Sequence, residues 1–182
     1  PFMITCSQLT KEDAVYPDIV QYLEVVKSKY GYKDILISNI KGLITVATAE
    51  EGVGNDISHM EFFKRAGEGH TFVSGIIPSE VPLTNEFGEK EPDMPTMHVS
   101  TPLRDRNGVV VGIVAVRVDV KALNDLMLSL KLGKTGETYL VNKDGYMVTE
   151  SRFARDLKDM GFIKRRCALE LKLVNRETDE LT

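Results

Sequence analysis

Apolar positions along this chain follow two periods, and the switches between them mark its elements. In residues 11–30, KEDAVYPDIVQYLEVVKSKY, Val15, Ile19, Tyr22, Val26 and Tyr30 recur three and four apart, which predicts a helix with one apolar stripe. Thr10 or Asp13 is the expected cap, Pro17 fits the first turn and Gly31 ends the helix. The period then shortens. DILISNIKGLITVAT, residues 34–48, is rich in β-branched residues and predicts a hairpin. After a loop with two glycines, Asp56 or Ser58 is expected to cap a short helix through HMEFFKRAGEG, which Gly67 and Gly69 close. HTFVSGII, residues 70–77, predicts a strand. Residues 78–95 carry four prolines and many acids and predict a long loop, of the kind that persists when it covers a pocket.

The second half repeats the theme. TMHVSTPL and GVVVGIVAVRVDV predict a long antiparallel pair, with Asn107-Gly108 as the turn signal. KALNDLMLSLKL predicts an amphipathic helix, broken between Gly133 and Gly136. ETYLVNKDGYMVTES then predicts a second hairpin, in which Asp144-Gly145 supplies the positive backbone angles of the turn. Asn142 and Gly145 repeat Asn39 and Gly42 at a constant offset of 103 positions. A short helix over 152–161 and a strand in CALELKLV follow. Helix, two strands, helix, three strands and helix add up to an α+β sandwich: a five-stranded antiparallel sheet with an N-terminal helix. The chain starts that unit twice. The second copy is expected to be truncated, because its closing strands are missing.

Composition narrows the function. The 182 residues are 42% hydrophobic and 27% charged, with a net charge of -4, which argues against nucleic acid as a partner. The basic run FIKRRC, 162–167, reads as a solvated face. Cys6 and Cys167 form no C-x-x-C pair, so zinc, dithiol and covalent haem motifs are missing. No apolar run reaches the roughly 18 residues that cross a bilayer. The chain opens on Pro1 and closes on a polar run, so it is expected to be a piece of something longer.

Signals for catalysis are weak. GKTGET, around Lys134, has Leu128 where a phosphate loop needs its first glycine. His59, His70 and His98 form no helix-face pair, and no nucleophile motif is present, so neither an enzyme nor a metal or other cofactor is expected. Strand alternation gives a better signal. It puts Arg117 and Asp119 on one face with Ile113 and Ala115, and Val114, Val116 and Val118 on the other. Arg117 and Asp119 are either a polar ligand's partners or a pair that satisfies itself. His70, Phe72 and Ser74 share one face of their strand, and Thr96, His98 and Ser100 share one of theirs. Phe62 and Phe63 are core or pocket wall.

Three stretches together resemble the double Cache (extracytoplasmic PAS-like) sensor domains. They are LGKTGETYLVNKDGYMVTES, GNDISHMEFFKRAGEG and HVSTPLRDRNGVVVGIVAVRVDVKAL, and the similarity runs from about residue 13 to 175. The resemblance implies the extracytoplasmic, periplasmic part of a membrane-anchored bacterial receptor, such as a histidine kinase or chemotaxis receptor. It implies an N-terminal helix over 1–29, a membrane-distal module over 30–132 and the truncated start of a membrane-proximal module over 133–182, with a small ligand in the distal module and a homodimer through the N-terminal helix. Asp119 matches the carboxylate that holds an ammonium in amino-acid-binding relatives. Met60 stands where those relatives have the arginine for the α-carboxylate, so a small carboxylate or a zwitterion is expected before an α-amino acid. The expected ligand set is Phe62, Phe63, His70, Phe72, His98, Arg117 and Asp119. Three rivals stay open: a cytoplasmic PAS-type module with haem or flavin, a small hydrolase on a profilin-like scaffold, and a dimerisation module that binds nothing.

Overall fold

The computed structural model describes residues 7–79, 81–85, 87–130, 133 and 136–173. The chain divides into two compact units. One comprises the residues through Gly75 with Thr96–Asp119; the other comprises Ile76–Pro95 with the residues from Val120 onward.

The first unit opens with helix α1 (Tyr16–Tyr30), five residues later than the apolar stripe predicts. The expected caps account for the delay. The Asp13 carboxylate accepts from the Thr10 backbone N–H at 2.7 Å and from its hydroxyl at 3.1 Å, which makes a turn ahead of the helix. Gly31, in the left-handed region at φ 71°, closes α1 as expected. The hairpin β1 (Asp34–Asn39) and β2 (Ile44–Ala47) follows, then helix α2 (Glu61–Gly67) and the short strand β3 (Phe72–Val73). Asp56 does not cap α2. Its carboxylate accepts from the Ser58 N–H at 2.8 Å, an interaction that pulls the carboxyl below its usual range, and Met60 occupies the N-cap. The unit ends with the long strands β7 (Pro95–Arg104) and β8 (Val110–Val118).

The path of its sheet is β2-β1-β8-β7-β3, antiparallel at each step along it. Strand β8 therefore lies in the middle. Both faces of the sheet are covered. On one, Ile35, Ile37 and Val46 pack with Ile19 and Leu23 of α1. On the other, Leu36, Ile113 and Ala115 pack with Phe62, Phe63 and Ala66 of α2. That double coverage explains why β1 is almost wholly buried rather than alternating between core and solvent.

In the second unit lie β4 (Ile77–Pro78), β5 (Leu83–Thr84), β6 (Lys90–Glu91), helix α3 (Lys121–Ser129) and helix α4 (Ala154–Asp159). Part of the expected loop over 78–95 is thus a small hairpin, with β5 paired to β6. The basic run 162–167 is not simply a solvated face. Arg166 donates to Glu91 and to the Pro92 carbonyl, while Arg165 donates to the Pro92 carbonyl and pairs with Asp93 and Glu170. Acids of 90–93 draw the arginines in. Among the described residues the second hairpin makes single bridges, Val141 to Met147 and Tyr146 to Lys172. Its small core is Met147, Ile163 and Cys167. The expected final strand reaches the described residues as the Lys172 bridge, and its last residue, Val174, lies outside them.

One turn recurs four times among the described residues: NIKG (39–42), NEFG (85–88), DRNG (105–108) and NKDG (142–145). In each, the side-chain oxygen of the first residue accepts from the backbone N–H groups two and four positions on, at 2.8–3.1 Å. The N–H of the first residue donates to the carbonyl four positions on, and the glycine N–H donates back to the first carbonyl. Among the described residues of each turn, only the glycine takes a positive φ, between 81° and 91°. Asp144 and Asn107 do not, so these are longer loops with a left-handed glycine and not the two-residue turns that Asp-Gly and Asn-Gly suggest.

Candidate functional site

The pairing register places three ionisable residues in one row across three neighbouring strands. Asp34 on β1 lies opposite Arg117 on β8, and Arg117 lies opposite His98 on β7. Directly opposed residues of antiparallel strands point to the same face. All three are buried, with exposures of 3%, 2% and 0%. Their face is the one that α2 covers, since Ala115 and Ile113, two and four residues before Arg117, pack on Phe62 and Phe63.

Each member is held. Asp34 Oδ1 accepts from the Thr48 hydroxyl at 2.5 Å and the Ala49 N–H at 2.8 Å, and Oδ2 lies 3.7 Å from Arg117 Nη1. The His98 ring stacks on Phe62, with centroids 4.4 Å apart and planes 17° from parallel. The His98 backbone N–H donates to Ser74 Oγ, and the Ser74 N–H donates to the His98 carbonyl. Ser100 Oγ donates to the Phe62 carbonyl at 2.8 Å, which fastens α2 to β7. The row is a polar strip, charge-balanced at one end and aromatic-capped at the other. Such a strip can take a small solute's charged or hydrogen-bonding groups.

The structure brings Phe62, His98 and Arg117 of the expected set together. Phe63 packs in the same cluster, and Phe72 packs against it half-buried. Two residues are less buried. Asp119 follows the end of β8, is 34% exposed at its side chain and pairs with Lys33 at 3.0 Å. His70 is exposed and outside β3, because its N–H donates to the Arg65 carbonyl and finishes the wrap of α2. The strand expected over 70–77 is correspondingly reduced to Phe72–Val73 and Ile77–Pro78. Asp34 is the residue that the sequence reading missed. Its signal was an acid opening an otherwise apolar strand, whose end meets the end of β8 in antiparallel register.

Helix α1 on one face, α2 and the polar row on the other, and a central last strand define a class: the α+β Cache/PAS-like sensor-domain fold, as the resemblance implies. Particular solved structures bear this out. The sensor domain of the V. cholerae histidine kinase DctB matches with a TM-score of 0.57 at 12% identity, over 87% of this chain and 60% of that one. The E. coli DcuS sensor domain gives 0.51 at 16%, over 66% and 78%. The ligand-binding domain of the Pseudomonas aeruginosa amino acid chemoreceptor PctC, in complex with GABA, gives 0.53 at 20%, over 79% and 61%. This chain thus spans less than two thirds of the DctB and PctC domains. No family model matches it, and no curated protein sequence does. Among the described residues, no cluster of histidine, cysteine and acids is arranged to hold a metal, and no helix is long and apolar enough to cross a membrane.

Proposed function

We propose that this chain is the extracytoplasmic ligand-sensing domain of a bacterial membrane receptor, a histidine kinase or a chemotaxis receptor. The observation that carries the reading is the buried Asp34–Arg117–His98 row, set in a sensor-domain fold. Stability alone gives no reason for such a row, since apolar residues of similar volume commonly replace a buried ion pair without loss. A solute with charged or hydrogen-bonding groups does give one. The site comprises Asp34, His98 and Arg117, with Phe62, Phe63 and Phe72 as its apolar wall. Its ligand is a small carboxylate or a zwitterion; the PctC domain, in complex with GABA, offers a zwitterionic parallel. The chain does no chemistry of its own. Occupancy biases one of two receptor states through the ligand's higher affinity for it.

Two further parts belong to the same reading. The hairpin around Asn142–Gly145 begins a second module of the same kind, and its exposed Tyr139, Leu140 and Val141 are the edge that further strands would cover. Tyr22 and Val25, exposed on α1, are the surface through which two copies would pair.

A thermal-melt screen against acetate, lactate, succinate and γ-aminobutyrate tests the function. At least one solute raises Tm by about 5 °C or more at a hundredfold excess over its Kd. The double variant Asp34→Asn/Arg117→Met, which removes both charges together and leaves neither buried alone, melts cooperatively and loses that shift. A screen without any shift, or an undiminished shift in the double variant, overturns the reading.

A further inference from the structure

The buried hydroxyls of the first unit are nearly all committed to the protein itself. Ser38 Oγ donates to the Asn39 carbonyl, Thr45 to the Ile37 carbonyl, Ser74 to the Gly75 carbonyl and Ser100 to the Phe62 carbonyl. Thr96 is the exception. It is 1% exposed, yet its Oγ1 has no hydrogen-bond partner among the described residues. A buried hydroxyl taken out of water without a partner is destabilising, so it calls for an explanation.

Its place supplies one. Thr96, His98 and Ser100 are the buried alternate residues of β7, with half-buried Met97 and Val99 between them. Thr96 is therefore on the face of the polar row, two residues from His98. Arg117 lies opposite His98, which makes Thr96 and Arg117 diagonal neighbours about 7–8 Å apart at their Cα atoms, the span that one small group between two side chains bridges. Arginine only donates, and a threonine hydroxyl donates as well as accepts. A donor on each side of that gap matches a carboxylate.

We infer that Thr96 is a ligand-binding residue of this site: its hydroxyl donates to one oxygen of a small carboxylate whose other oxygen faces Arg117. This rests on the proposed sensing function and adds to it the atom that holds the carboxylate's second oxygen. The isosteric substitution Thr96→Val removes the hydroxyl and suits a strand, whereas Thr96→Ser keeps it. Isothermal titration with acetate, lactate and succinate is run on wild type, both variants and Thr96→Ala. The expected result is a Kd raised about tenfold or more in Thr96→Val and Thr96→Ala, and within about threefold of wild type in Thr96→Ser. Acetamide, which lacks the charge, binds none of them measurably. Equal carboxylate affinity in wild type and Thr96→Val overturns the inference and leaves the sensing function standing. It would mean that the hydroxyl holds only water. If wild type binds none of the three carboxylates, the carboxylate class falls and this inference with it. Should Thr96→Val not fold, equal affinity in Thr96→Ala and Thr96→Ser overturns the inference alone.

Discussion

Single residues differ in what their burial does. Cys167, fully buried in the small second core, has its thiol pushed up to about 11 by that burial. A raised value means that the folded state holds its proton more tightly than the unfolded one. The associated stability is intact below about pH 9 and is lost as pH rises toward 11. Cys167→Ala should therefore flatten the fall in unfolding free energy across that window by about 2 kcal/mol, as pH-dependent urea melts would measure. Parallel curves for both proteins would refute it. Glu170 has the opposite sign. Burial pushes its carboxyl up, but hydrogen bonds from the Arg165 and Lys164 backbone N–H groups outweigh that and hold it below its usual range. Its contribution is present above its unfolded value and vanishes as pH falls through the lower folded one, so Glu170→Gln should be less sensitive to acid than wild type. At the site, alternation alone revealed that Arg117 and His98 share faces with other polar residues. It did not reveal that Asp34 completes the row, because the partner of a strand residue depends on register, and register is set by strands far apart in sequence.

At the scale of elements, the recurring four-residue turn offers a graded test. All four glycines sit in the left-handed region, where a Cβ costs about 1–2 kcal/mol. The space around them differs. A Cβ at Gly42 would come within 2.7 Å of the Ser58 backbone, one at Gly145 within 3.1 Å of the Leu173 carbonyl, and those at Gly88 and Gly108 meet nothing within 4 Å. Alanine substitutions should thus destabilise in the order Gly42, then Gly145, then Gly88 and Gly108 together. The last two should cost only the conformational 1–2 kcal/mol in denaturant melts. A uniform penalty at all four would show that the surroundings do not matter. The turns were half legible in the sequence. Asp-Gly and Asn-Gly stood out as pairs, but the residue that organises each loop is the Asn or Asp three positions before the glycine. The Arg165–Arg166 clamp is a second element-scale case. Arg166 and Glu91 are largely shielded, whereas Arg165 and Asp93 are about half exposed. In a double-mutant cycle the Arg166–Glu91 coupling should exceed the surface value of up to about 1 kcal/mol and persist at high salt, while Arg165–Asp93 coupling fades.

For the whole molecule, the two units have unequal cores. The first has two clusters of buried apolar residues, one on each face of its sheet; the second is built around Met147, Ile163 and Cys167. Native-state hydrogen exchange should find the slowest amides in β1 and β8 and markedly faster exchange at 145–149. The reverse order would refute this. The order of elements in the first unit was legible in the sequence, because its helices and long strands carry strong periodicity. The assignment of 76–95 to the second unit was not, since a segment inserted between strands carries no local sign of where it packs. The middle position of β8 has a consequence for the chain as it is made. The first hairpin, β1 and β2, leaves the ribosome early, yet the strand that β1 needs on its other side is the last of that unit to be synthesised. No partial chain ending before Val118 can close the sheet, and until then β1 and β7 lack the neighbour that belongs between them. Such exposed, β-branched edges are the species that aggregate or recruit a chaperone. Slowing translation just before residue 110 should therefore lower the yield of folded protein more than slowing it after residue 120.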